Sequence, residues 1–175
     1  MTAYMRNKNV FVSCLMFFLT IGSLNAQKAD INAICAKAKN PTFCSNYMKS
    51  NPKTSTADIK TLAKITFGSA QANASGALTK IQSLVKTETN PTLKKGYTSC
   101  AEQYKNAMSS LNDAKQSLDS GDGPGLNIKV SAAMEGSTTC QDDLAKVKAD
   151  PSTVKNSGDF QNICGIVLVI SNMMR

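Results

Sequence analysis

Histidine and tryptophan are both absent from the 175-residue chain. Without histidine there is no Ser-His or Cys-His nucleophile pair, and the commonest general base and metal ligand is missing. No CxxC pair, GxGxxG turn or P-loop occurs, so neither a dithiol redox centre nor a nucleotide cradle is written here. Adjacent carboxylates such as Asp142-Asp143 do occur, but at helix-surface positions where charges are ordinarily solvated. These absences predict a protein that is not an enzyme and uses no cofactor and no metal. Aromatic residues make up only 6% of the chain, and its lysines are scattered from Lys28 to Lys155 with no run longer than Lys94-Lys95. A nucleic-acid surface concentrates its positive charge on one face or stripe, so nucleic acid is excluded as a partner. The longest apolar run near the start, Val10 to Ile21, falls short of the roughly 20 residues that span a bilayer, which excludes a membrane anchor.

What is present begins with that run. Arg6 and Lys8 precede it, and small or polar residues lead from it to Ala26. This is the layout of a secretory signal peptide, so residues 1–26 are expected to be removed and residues 27–175 to form one secreted domain. Removal takes the basic residues from 20 to 18 against 12 acids, leaving a charge of +6. It also removes Cys14, leaving Cys35, Cys44, Cys100, Cys140 and Cys164. An odd number in a secreted chain reads as two bridges and one thiol.

Four of the five prolines follow Asn or Asp, at Asn40-Pro41, Asn51-Pro52, Asn90-Pro91 and Asp150-Pro151. Asx caps the first free N–H groups of a helix and Pro fits its first position, so these pairs mark helix starts or turns. Between them the apolar spacing is three-four. The first long segment, about Thr56 to Thr87, opens on Ser55-Thr56-Ala57-Asp58, a capping-box pattern, and carries Leu62, Thr66, Ala70, Ala77 and Ile81 on one stripe. The second, about Pro91 to Asp119, repeats Tyr97, Cys100, Tyr104, Ala107, Leu111 and Leu118; the third, about Leu126 to Lys148, has Val130, Ala133, Ser137, Cys140 and Leu144. The fourth, about Ser157 to Met174, has Phe160, Cys164, Val167 and Ser171. Short links between such helices predict an all-α, up-down-up-down four-helix bundle over about residues 55–174. Ile163 to Ile170 has the composition of a buried strand, but no segment offers it a partner strand. It is therefore read as a helix covered on both sides.

Residues 28–50 predict a helical hairpin that a Cys35–Cys44 bridge would staple, stabilising it by roughly 2–3 kcal/mol. Cys100 and Cys140 lie on the inward stripes of consecutive helices, and a bridge there would contribute about 4 kcal/mol. Cys164 also points inward, where a thiol is inert. The sequon Asn73-Ala74-Ser75 falls within an inward stripe and is expected to be unoccupied.

With these features in place, the chain resembles the plant pectin methylesterase inhibitors, within their joint family with the invertase inhibitors. The resemblance rests on Ile34-Cys35 through Phe43-Cys44, Tyr97-Thr98-Ser99-Cys100, Ser120-Gly121-Asp122, Leu126-Asn127-Ile128, Ser131-Ala132-Ala133, Thr139-Cys140, and Asp159 through Asn172. It implies a four-helix bundle behind a helical hairpin, bridges Cys35–Cys44 and Cys100–Cys140, and a free Cys164. The implied activity is a steric block of pectin methylesterase as a 1:1 protein partner in the apoplast and cell wall. Invertase inhibitors similar to this chain often carry Pro-Lys-Phe between the second and third bundle helices. Here that stretch reads Gly121-Asp122-Gly123-Pro124-Gly125, which favours the esterase, with acid invertase as the alternative target. A third reading is a wall protein with weak affinity for acidic pectin through its lysines.

The resemblance also implies an enzyme-binding face on the second and third helices, at Glu102, Asn106, Thr139 and Asp142 with Asn127 nearby. The helical period points the first four outward beside the Cys100 and Cys140 positions.

Overall fold

The structure, a computed structural model, describes residues 27–174. Residues 1–26, the expected leader with Cys14, lie outside the described residues.

Asx residues open every helix of the described chain. Asp30 caps α1 (Ile31–Lys37) by accepting from Ala33 N at 3.0 Å, and Asn40 caps α2 (Pro41–Ser50) by accepting from Phe43 N at 3.0 Å. A 3₁₀ turn over Pro52–Thr56 leads to Asp58, the cap of α3 (Ile59–Thr87). Asn90 caps α4 (Pro91–Ser120), Asp122 caps α5 (Gly123–Lys146) and Asp150 caps α6 (Pro151–Ser171). Each carboxylate or carboxamide satisfies N–H groups that the first helical turn leaves without partners.

α3, α4, α5 and α6 pack in a ring, each against the next and α6 back against α3. That is the four-helix bundle. Its core is the set of apolar stripes, with Leu62, Ala70, Tyr104, Leu111, Leu126, Val130, Leu144, Phe160 and Val167 all buried. The α1–α2 hairpin rests on α6, and Tyr47 ties it to α3 by donating to Ser69 Oγ at 2.7 Å. Covered by the bundle and by the hairpin, α6 is apolar nearly all round, which explains Ile166 to Ile170 as helix. Apart from an isolated bridge between Lys28 and Asp58, no strand occurs among the described residues.

Three boundaries differ from the spacing-based expectation. No capping box forms at Ser55, because Ser55 and Thr56 belong to the 3₁₀ turn and Asp58 is itself the cap. The third bundle helix starts at Gly123 instead of Leu126, and the fourth at Pro151 instead of Ser157. Apart from Val154 both early turns are polar or small, so they carry no apolar period. Asp122 accepting from Gly125 N at 2.9 Å and Asp150 accepting from Thr153 N at 3.3 Å hold them helical. The α4–α5 link thereby shrinks to Gly121 and Asp122. Gly121 takes the left-handed conformation (φ 78°) that side chains disfavour, and Asp122 N donates to Ser117 O at 2.8 Å.

Asp58 accepts from Thr61 N at 2.7 Å, and that bond holds its carboxyl below the ordinary aspartate range. A group lowered on folding stabilises above its unfolded value, and the effect fades as pH falls through the folded one. Asp58→Ala is therefore expected to cost about 1 kcal/mol at neutral pH. Urea titrations at pH 7 and at roughly pH 3 should show that penalty shrinking in acid.

Candidate functional site: the outer face of α4 and α5

α4 and α5 pack most extensively of any helix pair, and four contacts set their register. Cys100 and Cys140 form a disulfide with their Cα atoms 4.6 Å apart, closing a separation of 40 residues. One turn away, Gly136 lies against Gln103: a Cβ on Gly136 would sit 2.9 Å from the Gln103 carbonyl oxygen. Glycine thus lets the two backbones approach closely. Ser99 Oγ donates to Asp143 Oδ2 at 3.3 Å on one side of the bridge. Towards the other end Lys129 Nζ donates to Ser117 Oγ at 2.9 Å. The second disulfide, Cys35–Cys44, joins α1 to α2 with Cα atoms 5.4 Å apart.

Held this way, the two outward stripes form one surface. Glu102 and Asn106 on α4 and Thr139 and Asp142 on α5 are all exposed. Thr139 Oγ1 donates to Glu135 O at 3.3 Å. The Glu102 carboxylate accepts from Lys105 Nζ at 2.8 Å, an exposed pair within one helix. Such pairs contribute under about 1 kcal/mol and exchange readily for a partner's cation. Glu102, Asp113, Glu135, Asp142 and Asp143 place five of the chain's 12 acids on or beside this face. Lys95, Lys105 and Lys146 stand among them, Lys105 paired with Glu102 and Lys146 with Asp143, so the face is mixed in charge.

Asn127 is placed differently. It is half-buried, and its Nδ2 donates to Ser171 Oγ at 2.8 Å, and to Leu168 O and Asn172 Oδ1 at 3.3 Å each. The structure joins it to the end of α6. Twelve residues of helix, about 18 Å, separate it from Thr139. Sequence reasoning missed Gly136 and Gly123, whose only signal was glycine inside a helical pattern.

Residues 29–170 match the model of the plant invertase/pectin methylesterase inhibitor family. The chain belongs to that family. Its relatives include pectinesterase inhibitor 2 of Arabidopsis thaliana, 73% identical over 99% of this chain and 100% of the relative. Pectinesterase inhibitor 1 of the same plant is 44% identical over 99% of this chain and 98% of the relative. A crystal structure of a mutant pectin methylesterase inhibitor from Arabidopsis superposes with a TM-score of 0.79 at 42% identity, covering 84% of this chain and 98% of that one.

The family is one of inhibitors, not enzymes. Cys164, the free cysteine among the described residues, is completely buried, and burial pushes its thiol far above the ordinary range. It stays protonated and is no nucleophile. Among the described residues no cluster of three His, Cys, Asp or Glu is placed to hold a metal. No described helix is long and apolar enough to cross a membrane. Asn73 is half-buried, and its Oδ1 is enclosed without a hydrogen-bond partner among the described residues.

Proposed function

We propose that this chain is a secreted inhibitor of plant pectin methylesterase that lays the α4–α5 face over the enzyme's active-site cleft as a 1:1 complex. The observation that carries this reading is an exposed helix pair locked in register by Cys100–Cys140, in a chain 73% identical to a pectinesterase inhibitor. The bundle excludes methylated pectin by occupying the cleft, with no covalent step. Glu102 and Asp142 meet lysines or arginines of the enzyme, and Asn106 and Thr139 pack between them. Asn127 supports the face from behind through its bonds to α6. The leader over residues 1–26 directs the protein to the apoplast and cell wall.

A secondary affinity for acidic pectin has its own support. An open groove of about 610 Å³ runs between the α1–α2 link and helices α5 and α6; Lys37 and Lys39 line it, and no acid does.

Mixing the purified protein with a plant pectin methylesterase and with an acid invertase tests the reading. Loss of esterase activity alone supports it, and loss of invertase activity alone replaces it with the family's other target. Polymer binding that salt abolishes, with both enzymes unaffected, would leave only the pectin-binding reading. Thr139→Trp places a large ring in a close contact, and Glu102→Lys reverses a docking charge, a repulsion on the order of several kcal/mol. Both variants are expected to keep their helical signal and melting temperature while inhibiting at least tenfold more weakly, a change of about 1.4 kcal/mol. Changes at Lys60 and Lys86 on α3 should matter little. Full inhibition by both interface variants would move the binding face elsewhere.

A further inference from the structure

We propose that Ile128 is an apolar anchor of the inhibitory face, filling an apolar depression beside the cleft of the esterase. This rests on the face proposed above and adds to it a residue that the charge argument does not reach. Ile128 is 71% exposed, the single large hydrophobic side chain left in solvent among the described residues. One exposed isoleucine needs no explanation by itself. Its position and its mounting distinguish this one.

Position comes first. At about 100° per residue, Thr139 lies within roughly 20° of Ile128 around α5, and Asp142 within roughly 40°. Ile128, Ala132, Glu135, Thr139 and Asp142 therefore form one continuous outward stripe. Ile128 heads it about 16 Å from Thr139. Ile128 and Ala132 are the apolar end of this stripe, and Glu135, Thr139, Asp142 and Lys146 continue it as polar and charged residues of both signs. An apolar end beside a polar stripe suits a partner surface with an apolar depression at the margin of a polar cleft.

The mounting is rigid. Gly123 packs so closely on the end of α6 that a Cβ there would sit 2.4 Å from the Ser171 carbonyl oxygen. Asn127, the neighbour of Ile128, donates to Leu168 O, Ser171 Oγ and Asn172 Oδ1. On the other side Lys129 donates to Ser117 Oγ at the end of α4. The first two turns of α5 are thus tied to both neighbouring helices, and the β-branched Ile128 has essentially one side-chain rotamer in a helix. A side chain already held in place loses little freedom on docking, which is where binding ordinarily loses affinity. Asn127 so acquires a positioning role: it touches α6, and through the backbone it fixes the direction of Ile128.

Ile128→Ser, Ile128→Leu and the parent protein should be compared as inhibitors of one pectin methylesterase, with circular dichroism and melting followed for each. Ile128→Ser is expected to weaken inhibition about 10- to 100-fold, the range for transferring one such side chain from water. Ile128→Leu should stay within about threefold of the parent, since the apolar volume is kept. Melting temperatures should be unchanged, because the side chain is already in solvent. The Ile128→Ser deficit should persist in roughly 0.5 M salt, where that of Glu102→Lys shrinks. If the parent inhibits and Ile128→Ser inhibits within twofold of it, the anchor is refuted while the face stands. If Ile128→Leu is as weak as Ile128→Ser, or the melting temperature falls with either, the residue acts through folding and the inference fails. If the parent does not inhibit the esterase, the face and the anchor fall together.

Discussion

Replacing Cys100 and Cys140 together by serine is expected to lower the melting temperature by about 8–16 °C and to weaken inhibition even in the folded protein. The bridge closes a loop of 40 residues, which removes about 4 kcal/mol of unfolded-state freedom on the chain-entropy account. For a domain of this size each kcal/mol moves the melting temperature by roughly 2–4 °C. The functional part of the effect has a separate origin. Glu102 and Asn106 stand on one helix and Thr139 and Asp142 on the other, so their spacing depends on the register of α4 and α5. The Gly136–Gln103 contact and the Ser99–Asp143 hydrogen bond remain in the variant, but neither is covalent, and the face becomes free to shift. The Cys35–Cys44 pair is the internal control. Its separation is 9 residues, its loss costs about 2.6 kcal/mol on the same account, and it lies outside the face. Its serine variant should therefore inhibit normally at temperatures where it is folded. Thermal melts and inhibition assays on both double variants decide the matter. A Cys100/Cys140 variant that melts within 3 °C of the parent would remove the bridge from the stability argument.

These energies sit on an architecture that was largely written in apolar spacing. Leu62, Thr66, Ala70, Ala77 and Ile81 recur at three-four intervals and are all buried, because a helix facing a core on one side must repeat with its own turn. The Asx-Pro pairs were equally legible, since capping is a local interaction between residues two or three apart. Legibility ended where local and tertiary signals parted. The first turn of α6, Pro151 to Lys155, offers only Val154 as a large apolar residue, so spacing alone started the helix at Ser157. The strong signal there was Asp150, and reading it as a cap in its own right would have placed the start correctly. Gly123 and Gly136 disfavour helix by roughly 1 kcal/mol each on intrinsic propensity. What outweighs that preference is Ser171 in one case and Gln103 in the other, neighbours that only the folded chain supplies.

The candidate face divides in the same way. That Glu102, Asn106, Thr139 and Asp142 point outward follows from helical angle alone. The partners of Asn127 do not, because they lie 41 to 45 residues further along the chain. A residue beside an exposed stripe looks available until the helix packed behind it is known. Ile128 is the converse case: helical angle already puts it on the stripe of Thr139, and the structure adds that no neighbouring helix covers it.

Phe160→Ala is expected to be the most destabilising single substitution in the domain, at about 3–5 kcal/mol, while leaving inhibition intact wherever the protein is folded. Phe160 is fully buried on α6, and its ring lies 5.8 Å from that of Tyr104 on α4 with the planes tilted by 52°. α4 and α6 are diagonal across the ring of helices, and this aromatic pair is the largest contact between their buried faces. Tyr104 adds a polar tie by donating to Ser157 Oγ at 3.1 Å. Ser157 Oγ in turn lies 3.8 Å from Cys140 Sγ. Removing the Phe160 ring leaves a void enclosed by four helices that are each braced by their neighbours and cannot collapse inwards. That condition puts a truncation at the costly end of its range. Tyr104→Phe keeps the ring and removes one hydrogen bond, so it should cost only about 1 kcal/mol. Ser157 retains an acceptor for its hydroxyl in Thr153 O at 3.5 Å. The outer face stands on the opposite sides of α4 and α5, so both variants should inhibit normally at low temperature. Urea unfolding of the two variants fixes the order. Equal costs would mean that the hydroxyl network, and not the ring pair, holds the centre of the bundle.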